Sequence, residues 1–281
     1  MYDQQIKDYG FIPFDHQKPN FFPVSMQPVF DTSGRQIPNY QRVERGDTGD
    51  TLAIHTNAYS MVPYERHFSL FEEAIKESRL PWRTMQIGTD QDKNGARIFR
   101  QYLFPDAEVA INAVTGPRPQ LLRIFMFDSY DGSSAFIGRA GVFDTVCCNS
   151  MFTGISLLDF KFRHTGDMDA KVRIAADALT NAAEKFILNI QRMQHWTKIG
   201  VNAEEVEHLV LALPQSNKTL ANQIVADWAK QPDDTLWGVN QVLTGWASHG
   251  CPVRTQADRQ KRISLLVEGK DWHEYERRVA A

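Results

Sequence analysis

Two apolar runs separated by a turn lie between residues 121 and 142, which read LLRIFMFDSYDGSSAFIGRAGV. The runs Leu121–Asp128 and Ala135–Val142 are rich in the aromatic and β-branched residues that favour strands. Between them, Tyr130-Asp131-Gly132-Ser133 has the residue types of a tight turn, because glycine tolerates positive φ and aspartate hydrogen-bonds nearby backbone. The segment therefore predicts a β-hairpin.

A second hairpin is predicted directly before the first one. Its strands are Trp82–Thr89 and Ala96–Phe104, and they flank Asn94-Gly95, the strongest short signal for a hairpin turn. Two consecutive hairpins make an antiparallel meander, and at least one face of such a sheet must be covered by another layer.

The predicted cover is one long helix, Asp169–Lys198. Its apolar residues recur at steps of three or four, which places them on one side of a helix with about 3.6 residues per turn. They are Val172, Ala176, Leu179, Ala183, Phe186, Ile190 and Met193. A helix of this length lying across the sheet would bury the open face.

The patterns on either side complete the fold class. We predict a hairpin from Tyr40–Glu44 and Thr51–Thr56, an amphipathic helix over Pro63–Ser78, and four shorter helices near the C-terminus. Those four are Ala203–Leu213, Lys218–Lys230, Leu236–Ser248 and Gln256–Val267. Because strands and helices come in separate blocks, the sequence predicts an α+β fold: an antiparallel sheet of two or more hairpins covered by a long helix, with a helical C-terminal subdomain.

Three regions follow from this reading: a proline- and aromatic-rich arm over residues 1–39, an α+β core domain over residues 40–200, and the helical subdomain over residues 201–281. Five prolines in the arm disfavour long regular elements. Its phenylalanines are costly to leave in water, so the arm is expected to lie along its own domain or along a neighbouring subunit. The second case would make the protein a homo-oligomer.

Composition limits the class of protein. The chain has 281 residues, 42% hydrophobic side chains and a formal net charge of −3, and no apolar stretch suggests a membrane span. These values predict an ordinary globular protein. The three cysteines, Cys147, Cys148 and Cys251, lack CxxC spacing, so we expect a reducing cytosol and read the adjacent pair as buried apolar side chains.

Motifs for common chemistry are missing from the sequence. It contains neither the GxxxxGK[ST] loop nor the GxGxxG turn for nucleotides, neither HExxH nor paired CxxC for zinc, and no GxSxG for a nucleophile. The stretch Gly138-Arg139-Ala140-Gly141 falls inside a predicted strand and is interpreted as glycines that allow close packing. We therefore expect no cofactor, no metal and no enzymatic activity.

A basic and aromatic run after the predicted sheet is the main functional signal. Cations there could neutralise phosphates, and the phenylalanines could stack on bases without reading sequence. The candidate residues for binding nucleic acid are Phe160, Lys161, Phe162, Arg163, His164, Lys171 and Arg173. Because basic residues exceed acidic ones only slightly in this part of the chain, an ordinary solvated face with charges at the helix end explains the run slightly better.

Two other functions remain open at the sequence level. Trp228, Trp237, Trp246 and Trp272 could form the hot spot of a protein-interaction factor that regulates a host enzyme, although burial in the helical core explains them too. Asp106 and Asp159, with Lys161 to stabilise charge, have the residue types of a metal-dependent nuclease. That pattern is loose, and a pair of solvated loop residues is the alternative.

The chain resembles the family catalogued as domain of unknown function 932, whose members are often described as phage- or plasmid-like proteins. Asp128 through Ser133, Val146-Cys147-Cys148-Asn149 and Arg163-His164-Thr165 carry the resemblance, and the earlier segments Tyr40–Val43, Asp47–Tyr59 and Glu65-Arg66-Phe68 agree with it. It implies an origin in a mobile element. Asp144 departs from the family, which usually has an arginine shortly before Cys-x-Asn.

The predicted order of hairpins followed by a long helix is also similar to that of phage single-strand annealing proteins. Their subunits assemble into rings or filaments and hold DNA in a basic groove. This likeness and the basic run together favour a phage-derived protein of the host cytosol that binds single-stranded DNA, as an annealing protein or a recombination accessory.

Overall fold

The computed structural model describes residues 11–16, 21–78, 80–92, 94–144, 150–151, 158–178, 182–249 and 253–280. The strands are β1 (Ile12–Pro13), β2 (Val24–Phe30), β3 (Gln36–Arg45), β4 (Thr51–Thr56), β5 (Gln86–Gln91), β6 (Arg97–Ala113), β7 (Gly116–Ser129), β8 (Phe136–Asp144), β9 (Ser150–Met151) and β10 (Leu158–Phe162). The helices are α1 (Tyr64–Glu77), α2 (Met168–Asp177), α3 (Ala182–Trp196), α4 (Ala203–Ala212), α5 (Lys218–Trp228), α6 (Leu236–Ser248), α7 (Val253–Val267) and α8 (Lys270–Glu276).

The main sheet has the strand order β1-β5-β6-β7-β8-β10, with β9 beside β8, and all its pairs are antiparallel. Both predicted hairpins are therefore confirmed, and so is the α+β class. The turns use Gly95 and Gly132, both at positive φ. Strand β10 was not predicted, although Leu158, Phe160 and Phe162 alternate with charged residues as in a strand with one buried face. The segment was interpreted by its basic and aromatic content and not by this alternation.

A smaller antiparallel sheet, β2-β3-β4, lies beside the turn end of the main one. The predicted hairpin of β3 and β4 is confirmed, and the proline-rich arm contributes the short strands β1 and β2, of two and seven residues. Pro28 is compatible with β2 because β2 is an edge strand, and its pairing shifts between Pro28 and Phe30. The proposed boundary between residues 39 and 40 falls inside β3.

Aromatic residues of the arm pack mainly on their own chain. Phe11 is buried against Leu103, Leu121 and Phe143 on one face of the main sheet. Phe21 stacks on Phe68 of α1, and Phe22 contacts the Tyr130 ring. Phe30 is the exception, being 57% exposed. Contact of the arm with a neighbouring subunit stays a prediction.

Helices α1 and α3 cover the inner face of the main sheet, which we define as the face carrying Tyr102 and Phe160. Phe71 of α1 contacts both of these rings, and α3 packs across β6, β7 and β8. The predicted continuous helix Asp169–Lys198 is instead described as α2 and α3, and residues 179–181 between them lie outside the described residues. Helix α2 packs on α1 and β10. Of the two helices that replace the predicted one, only α3 packs across the sheet.

The C-terminal helices share the core of the sheet domain. One cluster of buried apolar side chains continues from Val43 through Ile124 and Phe186 to Trp237 and Tyr275. Four helices there match the prediction closely, whereas α8 was missed because it is short. No helix in the described ranges is long and apolar enough to span a membrane.

Close packing between β8 and β10 depends on one glycine. Gly138 pairs directly with Phe160, and a methyl group at Gly138 would overlap the Phe160 ring. Phe136 and Phe162 pack against that ring, so it has little room to move. The sequence interpretation of Gly138 as a close-packing residue is confirmed.

We predict that Gly138→Ala lowers the free energy of unfolding by about 2 kcal/mol or more, because the added methyl overpacks the core. Urea denaturation followed by circular dichroism measures the loss. Gly200→Ala is the control, since a methyl there has no neighbour within 4 Å, and it should change stability by less than about 0.5 kcal/mol. Equal stability of the two variants would contradict the packing argument.

Candidate functional site

The predicted binding residues do not form one strip. Phe160 is buried against Phe71 and Phe136, and His164 is buried beside Asp128, so neither side chain is available to a nucleic acid. Phe162 is half-buried and stacks on Phe160. Phe160, which was expected to stack on a base, and His164, which was expected to contact a phosphate, therefore belong to the core.

The basic residues of the run also lie in different places. Lys161 projects from β10 on the face opposite to Phe160 and is exposed. Arg163 and Arg173 are exposed beyond the strand and on α2. The Lys171 ammonium donates to the main-chain oxygens of Arg163 and Thr165, 3.0 and 2.5 Å away, and so closes the loop before α2. Only Lys161 reaches a cleft lined by aromatic side chains.

That cleft lies on the outer face of the main sheet, the face opposite to α1 and α3. One cross-strand row runs from β5 to β10 through directly paired residues. The row consists of Asp90, Phe99, Phe127, Ile137 and Lys161. At the usual strand spacing of about 4.8 Å, its four steps span about 19 Å. Phe11 covers the other end of this face, which leaves this row accessible.

The cleft has a volume of about 590 Å³ and an aromatic floor. Phe99 and Phe127 are half-buried, and the buried Phe125 packs beside them, with its ring centroid 5.5 Å from that of Phe99. Such a volume is typical of small-ligand sites. Partly exposed rings on a flat sheet surface offer faces on which a planar group can stack.

Charge is distributed unevenly along the cleft. Arg139 of β8 and Lys161 of β10 lie at one side of the cleft, and Lys261 enters its lining from α7. Neither lysine makes an ion pair with a described residue. Asp90 and Asp92 lie at the β5 side, where Arg97 is held 2.8 Å from Asp131. Asp258 on α7 is a third carboxylate of the lining. Along the strands the cleft is thus cationic at β8 and β10 and anionic at β5, while α7 contributes one charge of each sign.

A buried polar cluster lies under the inner face of the sheet, at the C-terminal end of β7. Asp128 at the end of β7 lies 2.8 Å from His67 Nδ1 and 2.9 Å from His164 Nε2. The His67 contact is a well-aligned hydrogen bond, whereas the His164 contact is an ion-pair distance with poor alignment. Ser129 also donates its main-chain N–H to Asp128, at 2.8 Å.

The surroundings keep Asp128 ionised. Burial raises the pKa of the Asp128 carboxyl, but contacts with His164 and His67 outweigh burial and hold that pKa below its usual 3.8. Above the cluster, Tyr59 stacks on His55 at 3.8 Å between ring centroids and donates its hydroxyl to the Ser129 carbonyl at 3.0 Å. Burial raises the pKa of Tyr59, so its hydroxyl stays a donor. The cluster therefore joins β7, α1 and the loops after β4 and β10.

Asp144, the departure from the family pattern, has a structural role. It is buried at the end of β8 and accepts hydrogen bonds from Arg118 at 2.9 Å and Gln120 at 3.1 Å. Arg118 also lies 3.3 Å from Gln241 of α6. An arginine at position 144 would face the Arg118 guanidinium. Cys147, Cys148 and Asn149, the next part of that motif, lie outside the described residues, as does Cys251.

The nuclease residues do not come together. Asp106 is an exposed residue of β6, while Asp159 pairs with Arg139 from β10, three strands away in the sheet. Three strand spacings alone separate them by about 14 Å, too far for both carboxylates to bind one metal ion. Within the described ranges, no group of three histidine, cysteine, aspartate or glutamate residues could hold a metal ion.

The tryptophans belong to the helical core. Trp228, Trp237 and Trp272 are buried, and Trp246 is half-buried beneath Arg259 and Arg262. Their expected burial is confirmed, so they do not form an exposed hot spot. The protein-interaction alternative stays a prediction without support from these side chains.

Comparison with known proteins gives one match. The sequence profile of the family described as Domain of unknown function (DUF932) matches residues 51–266, which is most of the chain. It begins at β4, ends in α7, and contains both the cleft and the Asp128 cluster. No curated protein and no solved structure matches the chain.

We predict that Asp128→Asn lowers the free energy of unfolding by about 3 kcal/mol at neutral pH, because a buried charge contact is broken. Because the pKa of the Asp128 carboxyl is lowered in the folded protein, the unfolded chain protonates this carboxyl at a higher pH than the folded protein does. The stabilisation is therefore present above about pH 4 and lost below it, so the difference between the two proteins should shrink in acid.

Urea denaturation at several pH values measures both effects. Asp90→Asn is the control, since Asp90 is exposed and makes no ion pair with a described residue. A difference between wild type and Asp128→Asn that stays constant down to about pH 2 would contradict this assignment.

Proposed function

The chain belongs to the family described as Domain of unknown function (DUF932), and we propose that this member binds single-stranded nucleic acid, with single-stranded DNA favoured, on the outer face of its main sheet. One observation carries the proposal: the cleft sets Lys161 and Lys261 beside the partly exposed rings of Phe99 and Phe127. Binding there needs no covalent chemistry.

Each part of the cleft matches one part of a nucleotide. Ammonium and guanidinium groups attract phosphates, and aromatic faces stack on bases whatever their identity. Stacking on the sheet requires a base whose face is free, which a single strand offers and a duplex does not. One strand, β8, separates Lys161 from the aromatic floor, and its residue Ile137 lies between Lys161 and Phe127.

The proposal differs from the sequence hypothesis in its residues. Of the run Phe160–His164, only Lys161 contributes, and the aromatic partners come from β6 and β7. Annealing, a recombination accessory role, a phage origin and a place in the host cytosol remain parts of the proposal, supported by the family resemblance and by the odd count of cysteines.

We predict that Lys161→Ala/Lys261→Ala weakens binding of a fluorescent 20-nucleotide strand at least about fivefold in 50 mM salt and reduces the slope of log K against log salt by about 1.4, since two cations no longer displace counterions. Fluorescence anisotropy across a salt series measures both. Unlabelled deoxycytidine monophosphate should compete poorly; efficient competition would indicate a nucleotide site instead of a strand site.

Arg163→Ala/Arg173→Ala is the matched control, since it removes two exposed cations that do not line the cleft. We expect it to retain the wild-type slope. If the control loses as much affinity as the cleft variant, or if wild type binds no single strand at low salt, the proposed site is wrong.

We also predict that Phe99→Leu/Phe127→Leu weakens the same complex by about fivefold or more, because a leucine keeps the apolar floor but offers no ring for stacking. The salt slope should not change, which separates this loss from that of a cation. Phe30→Leu, an exposed aromatic outside the cleft, is the control. Wild-type affinity in the double variant would contradict stacking on this face.

A further inference from the structure

The anionic end of the cleft is unusual for a surface that holds polyanions. Asp90 is exposed on β5 and lies in the same cross-strand row as Lys161, at its opposite end. Its carboxylate makes no ion pair or hydrogen bond with a described residue. Asp92, by contrast, accepts the main-chain N–H of Arg97 at 3.1 Å. Asp90 is therefore an exposed carboxylate of the cleft lining that no described side chain neutralises.

The order of groups along the row decides which part of a ligand reaches Asp90. From Lys161 the row passes Ile137, then the Phe127 and Phe99 rings, and then Asp90. A phosphate would be repelled by Asp90 and attracted to the lysine end. A base stacked on Phe99 would then point its outer edge, the edge farthest from the sugar, toward the carboxylate.

Resting on the proposed function, we infer that Asp90 makes the cleft selective for bases that carry an exocyclic amino group, cytosine above all, over uracil and thymine. An ionised carboxylate only accepts hydrogen bonds. Cytosine presents its N4 amino donor at the position where uracil presents the O4 acceptor. Cytosine can therefore donate to Asp90, whereas uracil sets an oxygen against a negative charge.

The other charged groups of the cleft do not cancel this selectivity. Arg97 lies 2.8 Å from Asp131 and 4.0 Å from Asp92, and Arg139 and Lys161 are three and four strands away from β5. The neighbouring Gln91 is half-buried and uncharged. Within the cross-strand row, Asp90 is thus the charged residue that pairs directly with Phe99, whereas Lys161 lies three pairings away.

Oligo(dC) and oligo(dU) of equal length test the inference, because these strands differ only at C4 and N3 of the base. At pH 8, where cytosine is unprotonated, we expect oligo(dC) to bind the wild-type protein about tenfold more tightly in anisotropy measurements. Asp90→Asn should reduce that ratio to near one, since an amide can accept from cytosine N4 or donate to uracil O4.

Asp258→Asn is the matched control: it removes one exposed carboxylate from the α7 side of the cleft and should keep the tenfold ratio. A ratio that persists in Asp90→Asn overturns the inference. If the wild-type protein binds oligo(dC) and oligo(dU) equally, and Lys161→Ala/Lys261→Ala loses this binding, the inference about base selectivity is overturned. The proposed function then stands. Absence of binding to either strand overturns both.

Discussion

Side chains on a β-strand alternate between the two faces of its sheet, and in this protein that alternation separates the core from the proposed binding surface. Phe160 points inward to Phe71 and Phe136, while its neighbour Lys161 points outward. A shift of β10 by one residue would bury the lysine and expose the phenylalanine. The direct pairing of Phe160 with Gly138 fixes that register, since only glycine leaves room for the ring.

The Asp128 cluster stabilises the same arrangement from the other side of the sheet. Asp128 follows Phe127 directly, so the residue that anchors β7 in the core is adjacent to one that forms the floor of the cleft. Its contacts with His67 and His164 attach β7 to α1 and to the loop after β10. The β7 and β10 positions of the cross-strand row are thus fixed by buried polar contacts and by packing, which gives this part of the outer face a defined geometry.

Much of the fold could be predicted because hairpin turns and helix periodicity are local signals. Asn94-Gly95 and Gly132 located the meander, and Leu236–Ser248 matched α6 at both ends. The binding surface could not be predicted, because it depends on which strands become neighbours. Phe99 and Lys161 are 62 positions apart in the sequence and share one row of the sheet only because three strand pairings connect them. A basic run in the sequence does not reveal that Lys161 and His164 point to different environments.

Photo-cross-linking locates the bound strand most directly. A 20-nucleotide strand with 5-iodocytosine at single positions would be irradiated with the wild-type protein, and the adducts would be mapped by mass spectrometry. Our account predicts adducts on Phe99 or Phe127, which present their rings on the outer face. Adducts confined to the Arg163–Arg173 region or to the C-terminal helices would contradict it.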